Sequence, residues 1–174
     1  GLNGFTGTLN FTDTSKHIVS VSTGTTAGAV EFNKLSFVNS SNGSNTFNVQ
    51  TDTTVNTLTA AAGTVVVSTG KKLTLGGGTA ETPSPHSIGT LNAAAGTVAL
   101  GANAQLTLSG GTAAAPVAHS VGKLDAAQGT VSLSANANLT LGGGTAETPV
   151  AHSVGTLTTG SGSTVTLNSG ANLM

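Results

Sequence analysis

Apolar and polar residues alternate along this chain in short runs. In Thr97-Val98-Ala99-Leu100, Val98 and Leu100 fall on one side; in Leu106-Thr107-Leu108 the two leucines flank the threonine. A period of two over four or five residues is the pattern of a half-buried β-strand. Gly, Asn and Ala bound the runs, as corners between strands do. Helical periodicity is absent from any window of useful length, and Gly and Thr are poor helix formers. In Ser87-Ile88-Gly89-Thr90-Leu91 the apolar residues stand three apart, which predicts a bend at Gly89.

The runs recur at a fixed interval. Leu73-Thr74-Leu75 returns as Leu106-Thr107-Leu108 and again as Leu139-Thr140-Leu141. Gly63-Thr64-Val65 returns at Gly96 and Gly129, and His86-Ser87 returns at His119 and His152, without insertion or deletion. Short strands repeated at a fixed period cannot bury their apolar sides alone, but stacked on the next copy they can. The fold class expected is therefore all-β, a parallel β-solenoid (β-helix) of about 5–6 coils, with one 33-residue coil per repeat. About 21 residues would close each coil, and the remaining dozen, such as those from Leu75 to His86, would protrude as a loop. On this reading equivalent residues pile up about 4.8 Å apart. The histidines and the loops would then each form a column, as would Asn103 and Asn136 at a corner, where Asn tolerates left-handed backbone. Glu81 and Glu147, with Ala114 at the same place in the copy between, would form a column in which like charges avoid neighbouring rungs.

Residues 54–174 carry the regular repeat and residues 1–53 follow it loosely, as irregular N-terminal coils or a cap of the same single domain. The strand-like pieces there are 7–11, 17–22, 28–32, 34–38 and 45–50, with Phe in place of Leu and Val. Terminal repeats of solenoids are usually atypical. At the other end the repeat stops part-way through a coil, at Leu173-Met174, and Gly7-Thr8-Leu9-Asn10 matches Gly89-Thr90-Leu91-Asn92. Tail followed by head would roughly continue the pattern. Open β edges template further strands, and a heterologous contact that does not close makes a filament. The candidate subunit-junction residues are Leu2, Phe5, Leu9 and Phe11 at one end and Val165, Leu167, Leu173 and Met174 at the other. The rival expectation is a piece cut from a longer solenoid.

Composition changes the picture in one respect. Charged residues make up 6% of the chain, with no Arg and a net charge of −1, against roughly 25% in ordinary soluble domains. Nothing attracts a phosphate backbone, so nucleic acid is excluded as a partner. A near-neutral surface also lacks the repulsion that keeps proteins apart, which favours self-association. The absence of Cys excludes disulfides and thiolate metal sites. No apolar run approaches the roughly 18–20 residues of a membrane span. The chain opens on Gly1 rather than Met, so the expectation is that a leader, or a segment added for expression, has been removed.

The lines from Gly63 to Gly78 and from Gly129 to Gly144 resemble repeats of bacterial exported β-helical surface proteins, namely autotransporter passenger domains and filamentous-haemagglutinin-like adhesins. The resemblance covers residues 54–174 and lies in strand-corner-strand grammar. It implies an extracellular or cell-surface location and an elongated, non-enzymatic role.

Candidate chemistry is sparse. A column of His86, His119 and His152 could hold a metal or switch near neutral pH. Metals, however, want ligands converging from three or four directions. The better expectation is structural: each ring hydrogen-bonds to backbone at a corner. No metal, cofactor or catalytic residues are assigned. The acids Asp13, Glu31, Asp52, Glu81, Asp125 and Glu147 offer no close carboxylate pair, which glycoside cleavage would need. Gly76-Gly77-Gly78-Thr79 lacks the GK[ST] and helix of a phosphate loop. Asn42-Gly43-Ser44 is a glycan-acceptor pattern.

The function expected is a non-enzymatic structural subunit of an extracellular filament or surface layer, with itself as partner. The alternative is a surface-adhesin fragment whose stacked loops (76–86, 109–119, 142–152) bind a carbohydrate or another cell-surface ligand. A third is an ice-binding solenoid, which needs two parallel Thr columns on one face; stacked by repeats, the core strands offer one outward Thr each.

Overall fold

The structure is a computed structural model that describes residues 7–11, 17–21, 30–37 and 45–174. Every element in it is a strand. The irregular N-terminal part supplies β1 (Thr8–Phe11), β2 (Ile18–Val21), β3 (Val30–Phe37) and β4 (Thr46–Val49). The regular part supplies β5 (Thr53–Val67), β6 (Lys72–Leu75), β7 (Ser84–Leu100), β8 (Ala104–Leu108), β9 (Val117–Leu133), β10 (Ala137–Leu141), β11 (Val150–Thr159), β12 (Thr164–Leu167) and β13 (Ala171–Leu173). All pairings are parallel. A chain wound in one sense returns over itself in the same direction, so a solenoid has no other choice.

The long strands run around corners. β5 lies on three successive faces, and we name the faces from it: X at 53–55, Y at 57–60 and Z at 64–67. Their neighbours differ, since Thr53–Val55 pair with Leu73–Leu75, Thr59–Ala60 with Ser87–Ile88, and Thr64–Val66 with Thr90–Asn92. The bend expected at Gly89 is the corner where β7 leaves face Y for face Z. A Cβ there would lie 2.6 Å from the Gly63 carbonyl oxygen and 2.8 Å from that of Ala61, so the corner has room only for glycine.

Following one inward column shows how the rungs stack. On face X, Thr53 pairs with Leu73, Leu73 with Val98 and Val98 with Leu124. The following rung brings His152 over Leu124, beside the pairing of Asp125 with Ser153. Thr53 and His152 hold the same place in the repeat, since His86 and His119 are the two equivalents between them. The four turns from Thr53 to His152 therefore cover three repeats. The expected fold class stands, a parallel solenoid of about six turns. The expectation of one 33-residue coil per repeat does not. Each repeat makes one and one-third turns, so equivalent residues sit on different faces, a third of a turn apart.

The reason lies in strand number. A repeat contains four strands, for example 84–88, 90–93, 97–100 and 104–108, whereas three close a turn. Each short strand offers two or three inward side chains, and three such sets fill a narrow triangular section. A fourth side would open a void, and voids forfeit packing energy. The strand that sequence reasoning missed is Ser84–Ile88, assigned in part to the protruding loop. Its own alternation was the available signal: His86 and Ile88 point inward and are buried, and Ser87 faces out.

The core is one continuous ladder set. Leu58, His86, Leu106 and Val131 follow one another on face Y; Val65, Leu91, His119 and Leu139 do so on face Z. Leu58, Leu73, Leu75, Ile88, Leu91, Leu106, Leu108 and Leu139 are all at most 2% exposed. Each such side chain contributes about 1.5–3 kcal/mol by burial. In the first coils Phe32 and Phe47 meet edge to face with centroids 6.0 Å apart, and Phe11 stacks on Phe37 at 5.3 Å.

Asn103 and Asn136 hold left-handed backbone, with φ of 58° and 57°, at the position taken by Gly70 in the preceding copy. That much follows the expectation for Asn at a corner. They form no ladder, however: Asn103 joins face X to face Y and Asn136 joins face Y to face Z. Each side-chain amide instead donates to a loop carbonyl, Asn103 to Gly78 and Asn136 to Gly111.

Candidate functional site

The one-third-turn offset redistributes every predicted column. The loops 76–83, 109–116 and 142–149 leave three different corners, X to Y, Y to Z and Z to X, so no stacked loop surface forms. Glu81 and Glu147 stand on separate corners, and the like-charge explanation for Ala114 between them lapses. The loop tips are closed by their own bonds: Thr82 N–H donates to Thr79 Oγ1 and Thr79 N–H to the Thr82 carbonyl, and Thr145 and Thr148 repeat this.

The histidines likewise do not stack. His86 lies on face Y, His119 on face Z and His152 on face X, each in a leucine column: Leu58–His86–Leu106, Leu91–His119–Leu139 and Leu124–His152–Leu173. They are 3%, 1% and 0% exposed. Each ring ties two backbone groups together. Nδ1 accepts from the N–H of Leu58, Leu91 or Leu124 at 3.2, 3.1 and 3.1 Å. Nε2 lies 2.8 Å from the carbonyl oxygen of Gly76, Ser109 or Gly142. A carbonyl only accepts and an N–H only donates, so the proton belongs on Nε2 and the ring is neutral. Burial pushes the His86 and His119 pKa below the ordinary histidine value, opposed in part by the bond to Gly76 or Ser109. These rings fasten the base of each loop to the core. Among the described residues no group of three or more His, Cys, Asp or Glu could hold a metal ion.

Charge is segregated by face. Glu31, Asp52, Lys71, Lys72, Lys123 and Asp125 lie on or beside face X; face Y carries Lys34. Among the described residues, face Z carries no Lys, Asp or Glu on its strands. Faces Y and Z are covered mainly by hydroxyls and amides, with Ile18, 61% exposed, as the large apolar exception on face Z. Thr57 and Thr59, Thr156 and Thr158, and Thr164 and Thr166 each provide two outward threonines on one strand, which corrects the expectation of one per strand. Several are bonded rung to rung, as Thr158 Oγ1 donates to Ser132 Oγ at 2.8 Å and Thr164 Oγ1 to Asn138 Oδ1 at 2.9 Å.

The remaining feature is the C-terminal rung. Residues 156–159 of β11, β12 and β13 each pair on one side only among the described residues, with β9, β10 and β11. Their inward side chains are correspondingly less covered. Leu157, Val165 and Leu173 are half-buried and Leu167 is 42% exposed; Met174, which follows the inward Leu173, is 75% exposed. At the other end Leu9 and Phe11 are half-buried in β1, which among the described residues pairs with β3 alone. Leu2 and Phe5 of the predicted junction, the acid Asp13 and the Asn42 acceptor pattern lie outside the described residues. No described helix is long and apolar enough to cross a membrane. Compared with family models, curated proteins and solved structures, the chain finds no match.

Proposed function

We propose that this chain is a non-enzymatic structural rod, an exported subunit of an extracellular filament or surface layer that adds copies end to end. The observation that carries this reading is the C-terminal rung, where three parallel strand edges surround an incompletely covered aliphatic core. A further solenoid coil satisfies both needs at once. It supplies backbone partners to the edges and apolar cover to Leu157, Val165, Leu167 and Leu173. The low charge of the chain leaves little repulsion against such stacking.

Negative-stain microscopy of the purified chain tests it. Long fibres of the rod's own width are expected. The double variant Leu173→Asp, Met174→Asp places two carboxylates on that rung and is expected to remain as single short rods with an unchanged β-sheet spectrum. Monodisperse rods from the parent chain, or normal fibres from the double variant, would refute the reading.

A second reading is favoured by the paired outward threonines of faces Y and Z. Methyls and hydroxyls set at rung spacing on faces with few charges suit an ordered neutral lattice such as ice. Ice crystals grown in a drop of the protein would then be faceted, whereas round discs like those in buffer would dismiss it.

A further inference from the structure

We propose that successive copies stack face-matched, with X over X, Y over Y and Z over Z. This rests on the end-to-end reading above and specifies its geometry. The chain winds in the order X, Y, Z. Its last described strand, β13, lies on face X, paired over Val150–His152. The next slot of the winding is on face Y, which is where the first described strand lies, since β1 pairs with Lys34–Phe37 and that segment continues to Thr57–Thr59. A second copy set on the C-terminal rung without rotation therefore prolongs the path with neither gap nor overlap among the described strands. β1 comes to lie over residues 156–159, β2 over β12, and Val30–Phe32 over β13.

Side chains agree with that seating. Leu9 is placed over Leu157, Val19 over Val165, Val21 over Leu167 and Val30 over Leu173, so each inward contact is apolar on apolar. The most exposed core leucine, Leu167, is covered by a valine that is 0% exposed in its own coil. The outward neighbours are uncharged: Asn10 falls over Thr158 and Ser20 over Thr166, while the exposed Ile18 falls over Thr164. The fibre would then present two nearly neutral stripes and one charged stripe along its whole length.

The competing arrangement is a rotation by a third of a turn. It is the relation between internal repeats, and the match of residues 7–10 to residues 89–92 would favour it, because the latter sit on face Z while β1 sits on face Y. Cysteine cross-linking separates the two, and the chain has no Cys to interfere. Neighbouring rungs lie about 4.8 Å apart, inside the roughly 4.4–6.8 Å that a disulfide spans. Asn10→Cys is combined in turn with Thr158→Cys on face Y, Thr166→Cys on face Z and Met174→Cys on face X; all four positions are exposed.

On mild oxidation of assembled protein, the Asn10→Cys, Thr158→Cys pair is expected to give a ladder of covalent dimers, trimers and higher forms on denaturing gels, removed by reductant. The other two pairs are expected to stay at the single-chain mass. A ladder from Thr166→Cys or Met174→Cys instead, or fibres with no ladder from any pair, would overturn face matching and leave end-to-end assembly standing. Absence of fibres in the parent chain would remove the end-to-end reading itself.

Discussion

His119→Leu is expected to destabilise the protein, although it makes the column Leu91–His119–Leu139 wholly aliphatic. The imidazole is the partner of two backbone groups, the buried Leu91 N–H and the partly buried Ser109 carbonyl. Leucine can bond to neither. An orphaned buried donor or acceptor costs about 1–3 kcal/mol, so the two together outweigh the extra apolar burial, itself about 1–2 kcal/mol. The expected net loss is about 2 kcal/mol, read as a lower urea midpoint at unchanged slope. His119→Gln separates hydrogen bonding from volume. Its amide can accept at one atom and donate at the other, so it should retain more stability than leucine. A leucine variant as stable as the parent would show that the two bonds contribute nothing net.

The second large effect is loss of stability in mild acid. His86 and His119 are held neutral, with pKa values lowered by burial. In the unfolded chain a histidine takes up its proton near pH 6.5. Below that pH the unfolded state binds more protons than the native one, so stability falls as pH falls. Their contribution is complete above about pH 6.5 and is lost progressively from there down through the folded pKa values. While both rings stay neutral in the native state, the slope reaches at most about 2.7 kcal/mol per pH unit for the pair. Acidic groups are few, with six Asp and Glu in all. Urea midpoints measured between pH 7.5 and 5 should therefore decline, and the double variant His86→Gln, His119→Gln should flatten the curve. An equal decline in that variant would assign the acid sensitivity to other groups.

These two expectations depend on where the histidines sit, and sequence reasoning saw that only in part. A backbone-bonding role at a corner was legible, because His-Ser closes each loop just before an apolar residue. A column of three rings was also expected, and the register denies it. The misreading had one source. The alternation in Pro85-His86-Ser87-Ile88 was absorbed into the loop, so three strands were counted per repeat where there are four. The spacing of Ile88 and Leu91, read as a broken strand, is the corner between two strands. The same miscount stacked the loops, Glu81 with Glu147, and Asn103 with Asn136.

The residues themselves determined the all-β class, the parallel winding, the short inward ladders and the left-handed corners at Asn103 and Asn136. These are local consequences: alternation of two for a strand, tolerance of positive φ for Asn, and a repeat too thin to bury its own core. How many strands close a turn was decided only in three dimensions. It is set by how many inward side chains fill the section, and the linear period of the chain holds no information on that number. Three strands fill it and four make the repeat, so each copy steps on by a third of a turn. That step sent the histidines, the loops and the charges to their separate faces.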